Sequence, residues 1–129
     1  MIYEGGCRCG AVRYRITGEP LSAGYCHCGM CQQAAGAPVV AWVAFRRSDF
    51  RIVKGEPESA QANARAVRRL CGECGTALTF EYSAHTETVD VTIASLDDPN
   101  ATEPVYRIWS SPRLPWLHSE GEDRASRPH

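Results

Sequence analysis

The chain has 129 residues, 43% of them hydrophobic and 22% charged, and a formal net charge of −1, the profile of one ordinary globular domain with room for a modest core. So even a balance supplies no field for capturing nucleic acid or an anionic membrane, and the clusters Arg46-Arg47 and Arg65 to Arg69 read as solvated strand or loop charges. The longest apolar run, Ala34 to Phe45, is broken by Gly36 and Pro38 and falls short of the roughly 20 residues a membrane helix needs.

Period-2 alternation dominates the pattern. The start, Met1 to Gly6, has neither a basic region nor an apolar stretch, so no signal peptide is read there. Val12, Tyr14 and Ile16 alternate with Arg13 and Arg15, which predicts a strand closed by Gly18-Glu19-Pro20. A short helix is expected from Met30 to Ala35, ended by Gly36. Val39 to Phe45 is almost wholly apolar, as a strand buried on both faces would be, and Ser48-Asp49 turns it into a strand over Phe50 to Val53. Residues 58–65 have helical propensity but little apolar periodicity, so they read as a helical turn or a surface loop. Further strands are expected at Val67 to Leu70, Ala77 to Tyr82, Val89 to Ile93 and Val105 to Trp109, the last after the turn cluster Asp97-Asp98-Pro99-Asn100. The expected architecture is mainly β with little helix. It spans residues 1–118, followed by a flexible polar tail over 119–129.

Seven cysteines cannot all pair within one chain. With no leader read, the protein is expected in the cytoplasm or nucleus, where thiols stay reduced and clustered cysteines point to metal chemistry. They form three clusters: Cys7-Arg8-Cys9, Cys26-His27-Cys28-Gly29-Met30-Cys31, and Cys71-Gly72-Glu73-Cys74. Zinc favours four ligands in a tetrahedron, and a tight turn can supply two of them. Gly10, Gly72 and Gly75 offer the backbone freedom such turns need. Joining the first and last pairs makes one closed all-thiolate site of Cys7, Cys9, Cys71 and Cys74. That leaves Cys26, Cys28 and Cys31 as three ligands with an open position, the pattern of a catalytic zinc. A different partition stays open, with the first pair joining two central thiols. His27, His85 or His118 could also close the central site. A redox Cys-x-x-Cys normally accompanies a βαβ pattern, which is not seen, and an iron–sulfur cluster is a further reading.

The segments Gly5-Gly6-Cys7-Arg8-Cys9-Gly10-Ala11-Val12-Arg13-Tyr14, Cys26 to Cys31 with Ala35-Gly36-Ala37, and Cys71-Gly72-Glu73-Cys74-Gly75-Thr76-Ala77-Leu78 resemble the family of glutathione-dependent formaldehyde-activating enzymes and centromere protein V. The likeness continues through Val91 to Pro99 and to Trp116. It implies antiparallel sheets in a zinc-stabilised β-tent fold and two Zn²⁺ per chain. One zinc would be structural, on Cys7, Cys9, Cys71 and Cys74, and one catalytic, on Cys26, Cys28 and Cys31. It further implies a carbon–sulfur lyase that condenses formaldehyde with glutathione to S-hydroxymethylglutathione. The partners would then be a small-molecule thiol and a small aldehyde, with no nucleic acid and no membrane. Family members often carry a basic residue directly after the third central cysteine, where this chain has Gln32. Arg46, Arg69 and Arg113 are the candidates for holding a thiol's carboxylate. A zinc with three thiolates has a formal charge of about −1 and suits a fourth, nucleophilic thiolate better than it suits strong Lewis-acid chemistry. The competing reading is a non-catalytic zinc module that binds a protein or chromatin partner.

Overall fold

The structure is a computed structural model, and it describes residues 1–108, 114–117 and 122–124. Eleven strands and one α-helix occur among these residues. They are β1 (Ile2–Gly6), β2 (Arg13–Thr17), β3 (Ser22–Cys26), α1 (Gly29–Ala35), β4 (Val40–Arg46), β5 (Phe50–Lys54), β6 (Glu58–Asn63), β7 (Ala66–Leu70), β8 (Ala77–Tyr82), β9 (His85–Thr92), β10 (Tyr106–Ile108) and β11 (Glu122–Arg124). They form a three-stranded sheet, β1-β2-β5, and an eight-stranded sheet, β11-β10-β3-β4-β9-β8-β7-β6. The mainly β, antiparallel expectation holds. The exception is β10, which runs parallel to both β3 and β11.

The two sheets pack face to face. Alternate residues of the large sheet (Ala23, Val43, Phe45, Val89, Val91) meet Tyr3, Tyr14, Ile16 and Phe50 of the small one in one buried cluster. Tyr3 lies 5.3 Å from Phe45, ring centre to ring centre. Tyr14 is fully buried, and its hydroxyl shares a 2.7 Å hydrogen bond with Ser95 Oγ. Burying a phenol is tolerable only when its hydroxyl is paired in this way.

Several strands differ from the expectation. Residues 58–63 are a strand, not a helical turn or loop. Their partner β7 supplies the hydrogen bonds at the sheet edge; most of these side chains are exposed, so no alternation marks the strand. β1 and β3 carry glycines where strands usually avoid them, each for a close approach. A Cβ on Gly5 would sit 2.6 Å from Tyr14 Cζ, and one on Gly24 would sit 2.6 Å from the Tyr106 ring. The final strand keeps Tyr106–Ile108, while Trp109 lies outside the described residues. Of the polar tail from Ser119, only the backbone of Glu122–Arg124 is described, and it forms β11.

The other face of the large sheet positions the site. Directly paired residues in neighbouring antiparallel strands share a face. Arg68 pairs with Phe80, Phe80 with Asp90, and Asp90 with Ala44. Along β4 the same face carries Trp42 and Val40, and Val40 pairs with Cys26. The central thiols therefore sit on the face opposite the main core.

Candidate metal centres

The four-thiol group is built from two turns of like design. Cys7 follows β1; its amide donates to the Val12 carbonyl at 3.0 Å, and its own carbonyl accepts from Gly10 N–H at 3.2 Å. Cys71 follows β7; its amide donates to the Thr76 carbonyl at 3.0 Å, and its carbonyl accepts from Gly75 N–H at 2.9 Å. Gly10 and Gly75 have φ of 82° and 80°, a region that side chains with a Cβ disfavour. Gly72 is not among the positive-φ glycines. Its lack of a side chain serves a different end, since a Cβ there would meet the Glu58 carboxylate carbon at 2.6 Å.

The turns bring Cys7, Cys9, Cys71 and Cys74 together, with all four sulfurs within 4.8 Å of one another. Cys7 Sγ is 3.5 Å from Cys9 Sγ, which is 3.7 Å from Cys71 Sγ. Four thiolates on one zinc at 2.3 Å would be separated by about 3.8 Å, the tetrahedral edge, so the spacing fits such an ion. Amides support the sulfurs: Val12 N–H donates to Cys7 Sγ at 3.2 Å, and Glu73 and Cys74 N–H to Cys71 Sγ at 3.4 and 3.5 Å. The Thr76 hydroxyl lies 3.1 Å from Cys74 Sγ and accepts from the Arg8 amide at 3.1 Å, which ties the two turns together.

Ionisation is uneven within this group. Hydrogen bonds from the Thr76 hydroxyl and amide, with the Cys9 amide, lower the Cys74 thiol to about 5. Burial opposes ionisation of Cys7, but the Val12 amide and the Cys9 and Cys71 thiols bring its pKa below the usual thiol value. Cys9 has a favourable hydrogen bond from the Ala11 amide, yet crowding by Cys7 and the other thiols pushes it up to about 12. Adjacent thiolates repel, and a divalent cation among them removes that repulsion.

The central group forms where β3 runs into α1. Cys28 is the N-cap of α1, with φ −68° and ψ 150°, and its sulfur accepts the Cys31 amide at 3.3 Å. A thiol here does what a serine oxygen does at other helix starts. Gly36 ends α1 at φ 61°, and its amide returns to the Gln32 carbonyl. The Cys-x-x-Cys step is thus one capped helical turn, and Cys26 on β3 completes it. Cys26 Sγ lies 3.5 Å from Cys28 Sγ and 3.1 Å from Cys31 Sγ. All three sulfurs are buried and lie within 4.8 Å of one another. The neighbouring Cys28 thiol and burial push Cys26 up to about 12, and the Cys26 and Cys28 thiols push Cys31 up as well. Met30, Val40 and Trp42 pack against the group. Met30 and Trp42 also pack against the cluster of Ala66, Phe80 and Tyr82 of β7 and β8.

The thiols therefore gather as four and three, each set able to hold a metal ion, and the donors suit zinc. His27 is fully buried but is not a member of either group. His85 stands at the start of β9, its Nδ1 3.8 Å from a Glu87 carboxylate oxygen, and belongs to neither group. His118 and Arg113 lie outside the described residues. Gln32 turns its amide onto the Pro38 carbonyl at 3.1 Å and so closes the loop between α1 and β4. Arg46 is exposed at the outer end of β4. Arg69 sits on the core side of its sheet, 4.0 Å from a Glu81 carboxylate oxygen. Sequence reading overlooked the wall of Met30, Trp42 and Phe80 and the guanidinium of Arg68, 5.9 Å above the Phe80 ring. Arg68 is one residue from the Arg69 that it singled out. Alternation along β7 separates the two, but which of them faces the thiols depends on the register with β8.

Known proteins resemble this chain along most of its length. Over 96% of its length the chain is 25% identical to a Halomonas elongata protein named "Putative glutathione-dependent formaldehyde-activating enzyme", of which it covers 85%. It is 28% identical to an uncharacterized lyase of Schizosaccharomyces pombe, over 63% of this chain and 58% of that one. The crystal structure of a Rhodobacter sphaeroides protein superposes with a TM-score of 0.64 at 26% identity, covering 78% of this chain and 96% of the other. The family model described as glutathione-dependent formaldehyde-activating enzyme matches residues 2–112, so the chain belongs to that family.

Proposed function

We propose that this protein is a zinc-dependent carbon–sulfur lyase of the cytoplasm, acting on thiol–aldehyde adducts. Formaldehyde and glutathione, joined as S-hydroxymethylglutathione, are the pair that best fits the family. In this reading residues 1–118 form the catalytic domain. Cys7, Cys9, Cys71 and Cys74 hold a structural zinc, and Cys26, Cys28 and Cys31 hold the catalytic one. The observation that carries it is the separate gathering of three buried sulfurs, one ligand short of a closed tetrahedral site. Among the described residues no helix is long and apolar enough to cross a membrane.

The overall reaction balances simply. The thiol sulfur forms a bond to the aldehyde carbon, the carbonyl π bond opens, and the thiol proton ends on the former carbonyl oxygen. When bound, zinc would offer the substrate sulfur a place to be held as a nucleophilic thiolate. This chain's part is to supply three thiolates at fixed positions. The Cys31 amide supports Cys28 Sγ, and Cys26 is fixed by the pairing of β3 with β4. Met30, Val40 and Trp42 shield the group from bulk water, which strengthens electrostatic interactions there.

Exchange NMR of formaldehyde with glutathione, with and without the protein, tests the proposal. Faster exchange that is lost in Cys28→Ser supports it. No acceleration with glutathione or any other thiol refutes it.

A further inference from the structure

The two thiol groups differ in their access to solvent. Cys26, Cys28 and Cys31 are only 1%, 7% and 3% exposed, and Met30, Val40 and Trp42 pack against them. In the four-thiol group Cys7 and Cys71 are buried, whereas Cys9 and Cys74 are exposed. The exposed pair takes one member from each turn: Cys9 lies between β1 and β2, and Cys74 between β7 and β8. Their sulfurs are within 4.8 Å of each other. Gly10 and Gly75, which follow them, stand in open space, since a Cβ on either would meet nothing within 4 Å. A small reagent therefore reaches these two sulfurs from solvent. The buried pair is anchored behind them, with the amide and carbonyl of both Cys7 and Cys71 bonded across their turns.

Neighbouring, accessible thiolates are what a hydroperoxide oxidises. The Cys74 sulfur attacks one peroxide oxygen, the O–O bond breaks, and the departing hydroxide takes up a proton to become water. The Cys9 sulfur then attacks the resulting sulfenic acid at sulfur. The S–S bond forms, and a second hydroxide leaves and is protonated to water. Two thiolates lose two electrons in all, and one peroxide with two protons becomes two waters. A zinc ion reduced from four ligands to two is no longer held. The protein loses the ion but keeps the tie, because a Cys9–Cys74 bridge joins the same two turns. Thiol exchange reverses the step, two thiols becoming one disulfide.

We propose that Cys9 and Cys74 are a hydroperoxide-reactive modification site, at which oxidation releases the zinc of the four-thiol group and leaves a disulfide between the two turns. The central group is spared under the same conditions. This rests on the structural-zinc reading above and is independent of the lyase activity.

The test treats the zinc-loaded protein with hydrogen peroxide. Released zinc is read with a chromophoric chelator, the fold by circular dichroism, and disulfides by mass mapping of unreduced peptides. Cleavage after Arg8 and after Glu73 separates the cysteines within each pair, so every possible bridge is distinguished. The expected result is loss of one zinc equivalent with the other retained, loss of two of the seven thiols, and a Cys9–Cys74 cross-link. The oxidised protein should keep its spectrum and melt within about 5 °C of the untreated one, whereas Cys74→Ser, with neither zinc nor bridge there, melts about 15 °C lower. Dithiothreitol with added zinc should restore the starting state. Release of both zincs together, a bridge within one turn, or unfolding as zinc leaves overturns the proposal. Cys28→Ser, which keeps only the four-thiol centre, reports on that centre alone. If it carries no zinc before oxidation, the structural-zinc reading and the proposal fall together; if it carries zinc that peroxide does not release, the proposal alone falls.

Discussion

Removing Cys74 should cost the fold far more than removing Cys28, because the two thiol groups close loops of very different length. The four-thiol group ties Cys9 to Cys71 across 62 residues, and it joins the β1–β2 turn of the small sheet to the β7–β8 turn of the large one. Treated as a cross-link in the chain-entropy relation, a loop of that size is worth about 4 kcal/mol. The central group ties Cys26 to Cys31 across only 5 residues, worth about 2 kcal/mol in the same relation. A chain of 129 residues has an unfolding entropy of roughly 0.27 kcal/mol/K, so Cys74→Ser with the loss of its zinc should lower Tm by about 15 °C, and Cys28→Ser with the loss of its own by about half that. Against a typical domain stability of about 5–15 kcal/mol, the first loss approaches unfolding and the second does not. Thermal unfolding followed by circular dichroism, with zinc counted by mass spectrometry, measures both. Cys28→Ser should retain the four-thiol zinc and a native spectrum. Equal destabilisation by the two variants, or a Cys74→Ser protein as stable as wild type, would refute the division into a structural and a catalytic centre.

Three further outcomes follow from the packing. Burial pushes the Tyr14 phenol from 10.0 up to about 12 despite its bond to Ser95. An acid whose folded pKa is raised stabilises the fold fully below its unfolded pKa and loses that contribution as pH climbs from about 10 to about 12. Alkaline unfolding of Tyr14→Phe should lack that component, and the variant should lose about 1 kcal/mol at neutral pH; a pH titration of stability that matches wild type would contradict this. The Arg13 guanidinium, at 2.8 Å, holds the Asp97 carboxyl below its usual 3.8. Its stabilisation is present above that value and lost as pH falls through the lowered one, so Asp97→Asn should flatten the acid limb, by under about 1 kcal/mol since the pair is exposed. Gly24→Ala places a methyl 2.6 Å from the Tyr106 ring and should cost about 1–3 kcal/mol in a thermal melt; an unchanged melt would show that Tyr106 yields freely.

The sequence by itself determined the β class and the three thiol clusters, because both depend on local spacing; which clusters join, the first with the last and the central three apart, was decided by the tertiary structure. Alternation shows in Val12 to Ile16 wherever one face is buried, and a Cys-x-x-Cys step has one economical use, as a turn with both sulfurs on one side. It was silent where tertiary contacts decide. β6 exists because β7 offers it hydrogen bonds, not because its residues favour a strand. Gly5 and Gly24 became strand positions once Tyr14 and Tyr106 lay over them. Gly72, read as a turn residue from its place in the Cys-x-x-Cys step, owes its identity to Glu58, a neighbour 14 positions away in the chain. Arg68 and Arg69 are adjacent and chemically identical, so nothing local separates them. The register of β7 on β8 sends Arg69 toward Glu81 and sets Arg68 above Phe80 on the face of the thiols. A slip of one residue would exchange them, since side chains in a strand alternate with a period of two.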